Sequence, residues 1–398
     1  MPVRSNNHAH EIEILETLPT ADEPRFESGV PVKKRAFTIP RLTLESGAML
    51  RDVRMGYETY GHLNATGDNA ILICHYFAGS SHCAGRYHES DPEPGYWDLL
   101  IGPGKPIDTD RFFVVSCDAL CNLNPKNPLV VTTGPASINP DTGRVWGADF
   151  PVISMGDIVE AQKSLADALG IRRFHAVGGP SMGGFQAMEW AARFPEMVER
   201  VISAISGGLD VEPYLIATLD TWTSPLTLDP KFRGGHYHET GEEPIDGLTH
   251  AYKLLTLNSL HHDWALRLFN RRWSDPDKDP ALSLENHYAI ESALERAAQQ
   301  SAQTTDANSF LRTVRAVQLY SISARKERLR SAFLMIPAQS DLLLIPRYAK
   351  RAVTQLQSLG LKAQLFELEG HGGHFDGVNR IAQAAEAIRA FLKEPPHL

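Results

Sequence analysis

Gly179-Pro180-Ser181-Met182-Gly183 sets a serine between two glycines, the G-x-S-x-G spacing of a nucleophile elbow. A serine hydroxyl is a weak nucleophile near neutral pH, so it needs a base to take its proton and an acid to hold that base. Downstream the chain supplies both, in the order Ser, Asp, His. Asp341 stands in Gln339-Ser340-Asp341-Leu342-Leu343, where the competing role is to cap a helix. Two histidines compete for the base, His371 and His374, in Gly370-His371-Gly372-Gly373-His374-Phe375-Asp376-Gly377. An oxyanion also needs backbone donors. Met182, after the nucleophile, offers one N–H. The loop His75-Tyr76-Phe77-Ala78-Gly79-Ser80-Ser81-His82 offers the other, with Phe77 as the candidate and His75 in a structural role.

These residues need a frame of strands and helices. The patterning predicts antiparallel opening strands at Thr38 to Leu44 and Val53 to Tyr60, then buried strands at Ala70 to Cys74 and Phe112 to Val115. An amphipathic helix is predicted over Asp157 to Leu169, with Ile158, Ala161, Leu165 and Leu169 on one stripe. Strand Phe174 to Gly178 and helix Met182 to Phe194 then flank the serine, and the following helix N-terminus points N–H groups at the oxyanion. A strand over Val201 to Ile205 follows. From residue 207 to 329 the pattern turns helical, with helices predicted at Leu248 to Leu260, Trp264 to Phe269, Glu285 to Gln300 and Ser309 to Ser323. The strand-helix rhythm returns with Phe333 to Pro337, Pro346 to Leu359, Lys362 to Leu368 and Ile381 to Lys393. This predicts an α/β fold of the hydrolase type: a mostly parallel central sheet with flanking helices and an inserted helical lid. The core is expected over 26–206 and 330–398, the lid over 207–329 and a loosely ordered arm over 1–25.

Composition excludes several alternatives. Charged residues make up 22% of the 398, with a net charge of −9, which argues against a nucleic-acid partner. No stretch reaches the ~20 apolar residues of a membrane span, and a cytoplasmic protein is expected. Four cysteines are too few for a disulfide framework, and Cys117 and Cys121 lack a second ligand pair for zinc. His261-His262-Asp263 lacks metal-ligand spacing on one helix face, and the loop Gly234 to Glu239 is expected to be a polar surface loop. Gly102-Pro103-Gly104-Lys105 misses the phosphate-loop spacing, and no G-x-G-x-x-G follows a strand. No metal and no cofactor is expected; a small ester is the expected substrate.

The chain resembles the homoserine O-acetyltransferase family. The resemblance is carried by Cys74-His75 with Gly79-Ser80-Ser81-His82, Tyr96-Trp97-Asp98, Ile101 to Lys105, Asp108 to Arg111, and Thr133-Gly134-Pro135-Ala136-Ser137. Ser181-Met182-Gly183-Gly184 with Gln186-Ala187 and Glu189-Trp190, and Asp306 to Phe310, extend it over most of the chain from residue 35. It implies an α/β-hydrolase fold, an acyl-serine intermediate and a homodimer formed through lid helices. It also implies Ser181 as nucleophile, Asp341 as acid and His374, rather than His371, as base. Three departures stand out. The transferases place an aspartate after the catalytic histidine, for the amino group of homoserine; here Phe375 follows and Asp376 is one place further. Tyr252 stands in the column of a lid arginine that holds the homoserine carboxylate. The loop Asn122 to Pro128 replaces a glycine-rich one. The chain is therefore more similar to the acetyl-ester hydrolases of this family, such as ethyl acetate esterases. The expected reaction is hydrolysis of a short acyl ester, with acyl-CoA-dependent O-acetyl transfer to homoserine or another small alcohol as the alternative.

Overall fold

The computed structural model describes residues 32–394; the arm expected over 1–25 lies outside them. Strands β1 (Arg35–Thr43) and β2 (Met49–Tyr60) open the chain as an antiparallel hairpin. They join β3 (Ala70–Ile73), β6 (Phe113–Cys117), β7 (Phe174–Pro180), β8 (Arg200–Ala204), β9 (Ala332–Ile336) and β10 (Ala363–Leu365). The sheet order is β1-β2-β6-β3-β7-β8-β9-β10, and the six strands from β6 to β10 in that order run parallel. A parallel pair, β4 (Ile101–Gly102) and β5 (Ile107–Asp108), lies apart from it. The expected mostly parallel α/β architecture is the observed one.

Alternation along each strand sends successive side chains to opposite faces. Thus Leu72, Val177, Phe333 and Met335 enter one core cluster, while Ile71, Ala176, Leu334 and Ile336 enter a second. Both faces of the sheet are buried, as its continuous apolar runs require.

Helices α1 (Met155–Ala168) and α2 (Met182–Arg193) cover the sheet. The first starts earlier than predicted because Ser154 and Asp157 form a reciprocal capping box. Between β8 and β9 lie α3 (Pro213–Leu228), α4 (Ile245–Ser259), α5 (His262–Leu268), α6 (Ala289–Thr304) and α7 (Ala307–Gln318). Helix α3 is absent from the predicted set: its threonines and internal Pro225 blur the signal, yet Leu215, Leu219, Trp222 and Leu226 form a buried stripe. Helix α6 begins later than expected, where Glu291 accepts the Tyr288 N–H at 2.6 Å. The segment 234–239 is not a free polar loop. Tyr237 is buried, its hydroxyl bonds the Asp306 carboxylate, and His238 Nε2 lies 2.9 Å from the same group. The chain closes with α8 (Pro346–Ser358), the short α9 (Asp376–Asn379) and α10 (Ala385–Lys393).

Candidate active site

The strand β7 ends on the elbow. Ser181 has φ 54° and ψ −118°, a conformation that a side chain rarely adopts and that costs about 1–3 kcal/mol. The surroundings enforce it. A Cβ on Gly179 or Gly183 would stand 2.0 or 2.1 Å from the Cys74 carbonyl oxygen, so only glycine lets the end of β3 pack against the turn. Ser181 thereby projects its hydroxyl from the tight corner between β7 and α2.

Two loops meet it. After β9, Asp341 is buried, and its Oδ1 accepts the N–H groups of Leu343 and Leu344, both at 2.9 Å. The aspartate thus does turn its local backbone, yet its second oxygen remains free for other work. That atom, Oδ2, lies 2.7 Å from His374 Nδ1, and His374 Nε2 lies 2.8 Å from Ser181 Oγ. A carboxylate, an imidazole and a hydroxyl are aligned for proton transfer from Ser181 to His374, with Asp341 orienting the ring. His371 is not among them: its side chain is 43% exposed and faces Asp263 at 3.5 Å. The His374 turn is set by Gly373, with φ 70°, where a Cβ would meet the Ser259 carbonyl oxygen at 2.7 Å.

Sequence reasoning missed what ties these two loops together. Ser340 Oγ donates to Asp376 Oδ2 at 3.0 Å and accepts the Gly373 N–H at 3.0 Å. The same Asp376 oxygen accepts the Gly372 N–H at 3.0 Å. Asp376 is buried, and burial raises its pKa despite these bonds. Its hydrogen bonds run to the two loops, and it is not among the residues lining the cavity.

The cavity beside Ser181 measures about 350 Å³ and is lined by Phe77, Met182, Trp222, Tyr252, Leu344 and Phe375 among others, with no Asp, Glu, Lys or Arg in its lining. Tyr252 is buried and its hydroxyl shares a hydrogen bond with Thr305 Oγ1 at 2.7 Å. Phe77 packs edge-to-face on Trp222 and Phe310. Among the described residues, no backbone acceptor takes the N–H of Phe77 or of Met182. Both can serve a charge developing near Ser181.

Beneath the Phe77 loop lies a buried ionic cluster. Glu58 accepts from Tyr60, Ser81 and Tyr87, pairs with His82 at 3.1 Å and lies 3.3 Å from Lys34. Burial works against its charge, but the His82 bond, the Lys34 ammonium and the Tyr87 hydroxyl together bring the carboxyl down to about 2. The side chains of the remaining motifs take no part in the hydrogen bonds that join Ser181, His374 and Asp341. Lys105 is buried in an ion pair with Asp98 at 3.0 Å. Cys74 and Cys117 are buried thiols at the ends of β3 and β6. The ligand atoms of His261, His262 and Asp263 do come within 4.8 Å of one another, contrary to the spacing argument, because His261 caps α5 instead of projecting from its face.

The fold and this arrangement define a member of the α/β-hydrolase superfamily, and the family model for the alpha/beta hydrolase fold matches residues 131–380. More narrowly, the chain is 37% identical over 363 residues to a homoserine O-acetyltransferase of Symbiobacterium thermophilum, covering 89% of this chain and 92% of that one. It is also 37% identical to a homoserine O-succinyltransferase of Laribacter hongkongensis, over 91% and 95% of the two chains. Among solved structures, esterase E22 is 42% identical with a TM-score of 0.86, covering 91% of this chain and all of that one. The homoserine O-acetyltransferase from Bacillus anthracis is 38% identical with a TM-score of 0.88, covering 92% and 99%. The chain belongs to the homoserine O-acetyltransferase family.

Proposed function

We propose that the protein forms an acyl-serine at Ser181 and hydrolyses short acyl esters, acetyl esters such as ethyl acetate first among them. His374 takes the Ser181 proton, Asp341 holds the resulting imidazolium, and the Phe77 and Met182 N–H groups stabilise the oxyanion. Water, activated by His374, then attacks the acyl-serine and releases the acid. The observation that carries hydrolysis is the cavity lining, which includes Phe375 and Tyr252 and no Asp, Glu, Lys or Arg. A zwitterionic amino-acid acceptor would leave both its charges without a counter-charge there. An uncharged ester meets no such cost. No helix among the described residues is long and apolar enough to cross a membrane; the site of action we propose is the cytoplasm.

The second reading is O-acyl transfer from an acyl-CoA to homoserine or another small alcohol. The names of the relatives weigh toward it: both curated relatives and the Bacillus anthracis structure carry transferase names, against esterase E22 on the other side. The two readings share the acyl-serine and part at the nucleophile that follows. Purified protein supplied with ethyl acetate, and separately with acetyl-CoA plus homoserine, separates them. Fast acetate release without O-acetylhomoserine is the expected result; efficient O-acetylhomoserine formation would overturn hydrolysis in favour of transfer.

The helices between β8 and β9 serve in this reading as a lid, and as the face through which two copies pair. Leu228 of α3 is 80% exposed and Leu257 of α4 is 53% exposed, beside a groove between these helices.

A further inference from the structure

His75 takes no part in the proton transfer at Ser181, yet its ring is buried and fully engaged. Its two nitrogens have opposite duties. Nε2 faces two donors, the Ala119 N–H at 3.0 Å and the Asn122 side-chain amide at 3.2 Å, so it is the acceptor. The ring proton therefore sits on Nδ1, which donates to the Tyr76 carbonyl at 2.7 Å. Burial, which lowers the His75 pKa, agrees with a neutral ring. The Tyr76 carbonyl receives the Gly79 N–H as well, at 3.0 Å.

A trans peptide unit is planar, with its C=O and N–H pointing opposite ways. Pinning the Tyr76 carbonyl on one side thus sets the direction of the Phe77 N–H on the other, since both belong to one plane. We infer that His75, held in a single tautomer by Ala119 and Asn122, is a positioning residue that aims the Phe77 N–H at the oxyanion. This role rests on the acyl-serine reading of Ser181 and deepens it.

The loop that departs from the glycine-rich family form supplies the support. Asn122 donates to the Gly79 carbonyl at 2.9 Å as well as to His75, and Asn124 donates to the Ala78 carbonyl at 3.1 Å. Side-chain amides at 122 and 124 therefore brace the oxyanion loop at Ala78 and Gly79 and, through His75, at Tyr76. The elbow touches the same segment, because Gln186 of α2 donates to the His75 carbonyl at 3.2 Å.

The test compares wild type, His75→Ala, His75→Asn and Asn122→Ala on a short acyl ester and with an alkylboronic acid, which forms a tetrahedral adduct on serine. Loss of aim in His75→Ala should lower kcat about 10–100-fold with KM little changed, somewhat less than the 10²–10³ of a deleted donor. Boronate affinity should fall in step with kcat, because both depend on the tetrahedral geometry. His75→Asn sets an amide nitrogen near the Nδ1 position and should regain most of the loss. Asn122→Ala should show the same pattern in milder form, and it carries the test if His75→Ala fails to fold. Folded variants with wild-type kcat and boronate affinity, or with a defect in KM alone, overturn the role of His75. A wild-type protein that binds no boronate and resists fluorophosphonate labelling at Ser181 instead overturns the acyl-serine reading itself.

Discussion

Ser340 Oγ donates to the buried Asp376 Oδ2 at 3.0 Å, and through that bond the loop presenting Asp341 is laced to the loop presenting His374. Ser340→Ala removes one donor to Asp376 and the acceptor of the Gly373 N–H together. Leaving buried polar groups short of partners costs about 1–3 kcal/mol each. The expected outcome is a lower Tm and a kcat reduced by about three- to tenfold, because a small misplacement of the base already slows proton transfer. Thermal unfolding followed alongside ester turnover checks it; a variant with unchanged kcat would show that the two loops hold their register without this bond.

The two histidines of the same loop should separate cleanly. His374→Ala removes the group between Asp341 and Ser181 and, on the proposed mechanism, should cost at least about 10³ in kcat. His371→Ala removes a half-exposed ring facing Asp263 and should leave turnover within about twofold, the usual reach of a surface change. Steady-state kinetics on one acetyl ester decides the matter.

That contrast also shows where the sequence is legible. The elbow announces itself because its Gly-x-Ser-x-Gly spacing falls within one strand-turn-helix unit, even though the carbonyl that demands Gly179 and Gly183 belongs to the distant Cys74. The order of Ser181, Asp341 and His374 follows from alternating strands and helices, which are local patterns. Which of His371 and His374 meets Ser181 depends on contacts over a hundred residues away in sequence: Gly373 pressed on the backbone at Ser259 is invisible to any local pattern. The Ser340–Asp376 link is hidden for the same reason. Helix α3 escapes because its helix signal is weak while its burial comes from tertiary packing. Tyr237 escapes because a tyrosine in a polar run gives no hint that Asp306 awaits its hydroxyl.

Phe375→Asp puts a carboxylate into a cavity whose lining holds no Asp, Glu, Lys or Arg. An uncompensated charge in such a site is costly, so lower stability and slower ester hydrolysis are expected. If the acceptor site is otherwise competent for amino alcohols, the ratio of O-acetylhomoserine formed to acetate released should rise in this variant. Product analysis by chromatography measures that ratio directly. A ratio unchanged from wild type would mean that residue 375 does not govern the fate of the acyl-serine.

Pairing of two copies through α3 and α4 predicts that Leu228→Glu, which charges an 80% exposed leucine, converts a dimer to a monomer. Leu228 lines one groove together with Leu254, Leu257 and Leu294, and a contiguous apolar patch of this kind marks an association face. Light scattering after size-exclusion chromatography reads the mass. A wild-type protein that is already monomeric at micromolar concentration removes the proposed pairing.

Glu58 makes acid stability a measurable property of the loop beneath Phe77. Its folded pKa is near 2 against an ordinary 4.5, so the folded state favours the ionised form. That depression is worth at most roughly 3 kcal/mol of stability. Because the folded value is depressed, this stability is fully present above about pH 4.5 and is lost as pH falls towards 2. Glu58→Gln should lower stability at pH 7 and flatten the pH dependence between 4.5 and 2. Lys34 would then rely on Asp118 at 3.0 Å for its counter-charge. Urea unfolding at several pH values tests this, and parallel curves for the two proteins across that interval would show that Glu58 is not the group being titrated. The same variant reports on the site, since Ser81 and His82 both bond Glu58 and both close the loop that begins at His75. A fall in kcat larger than the loss of folded protein would therefore trace the charge cluster to the aim of the Phe77 N–H.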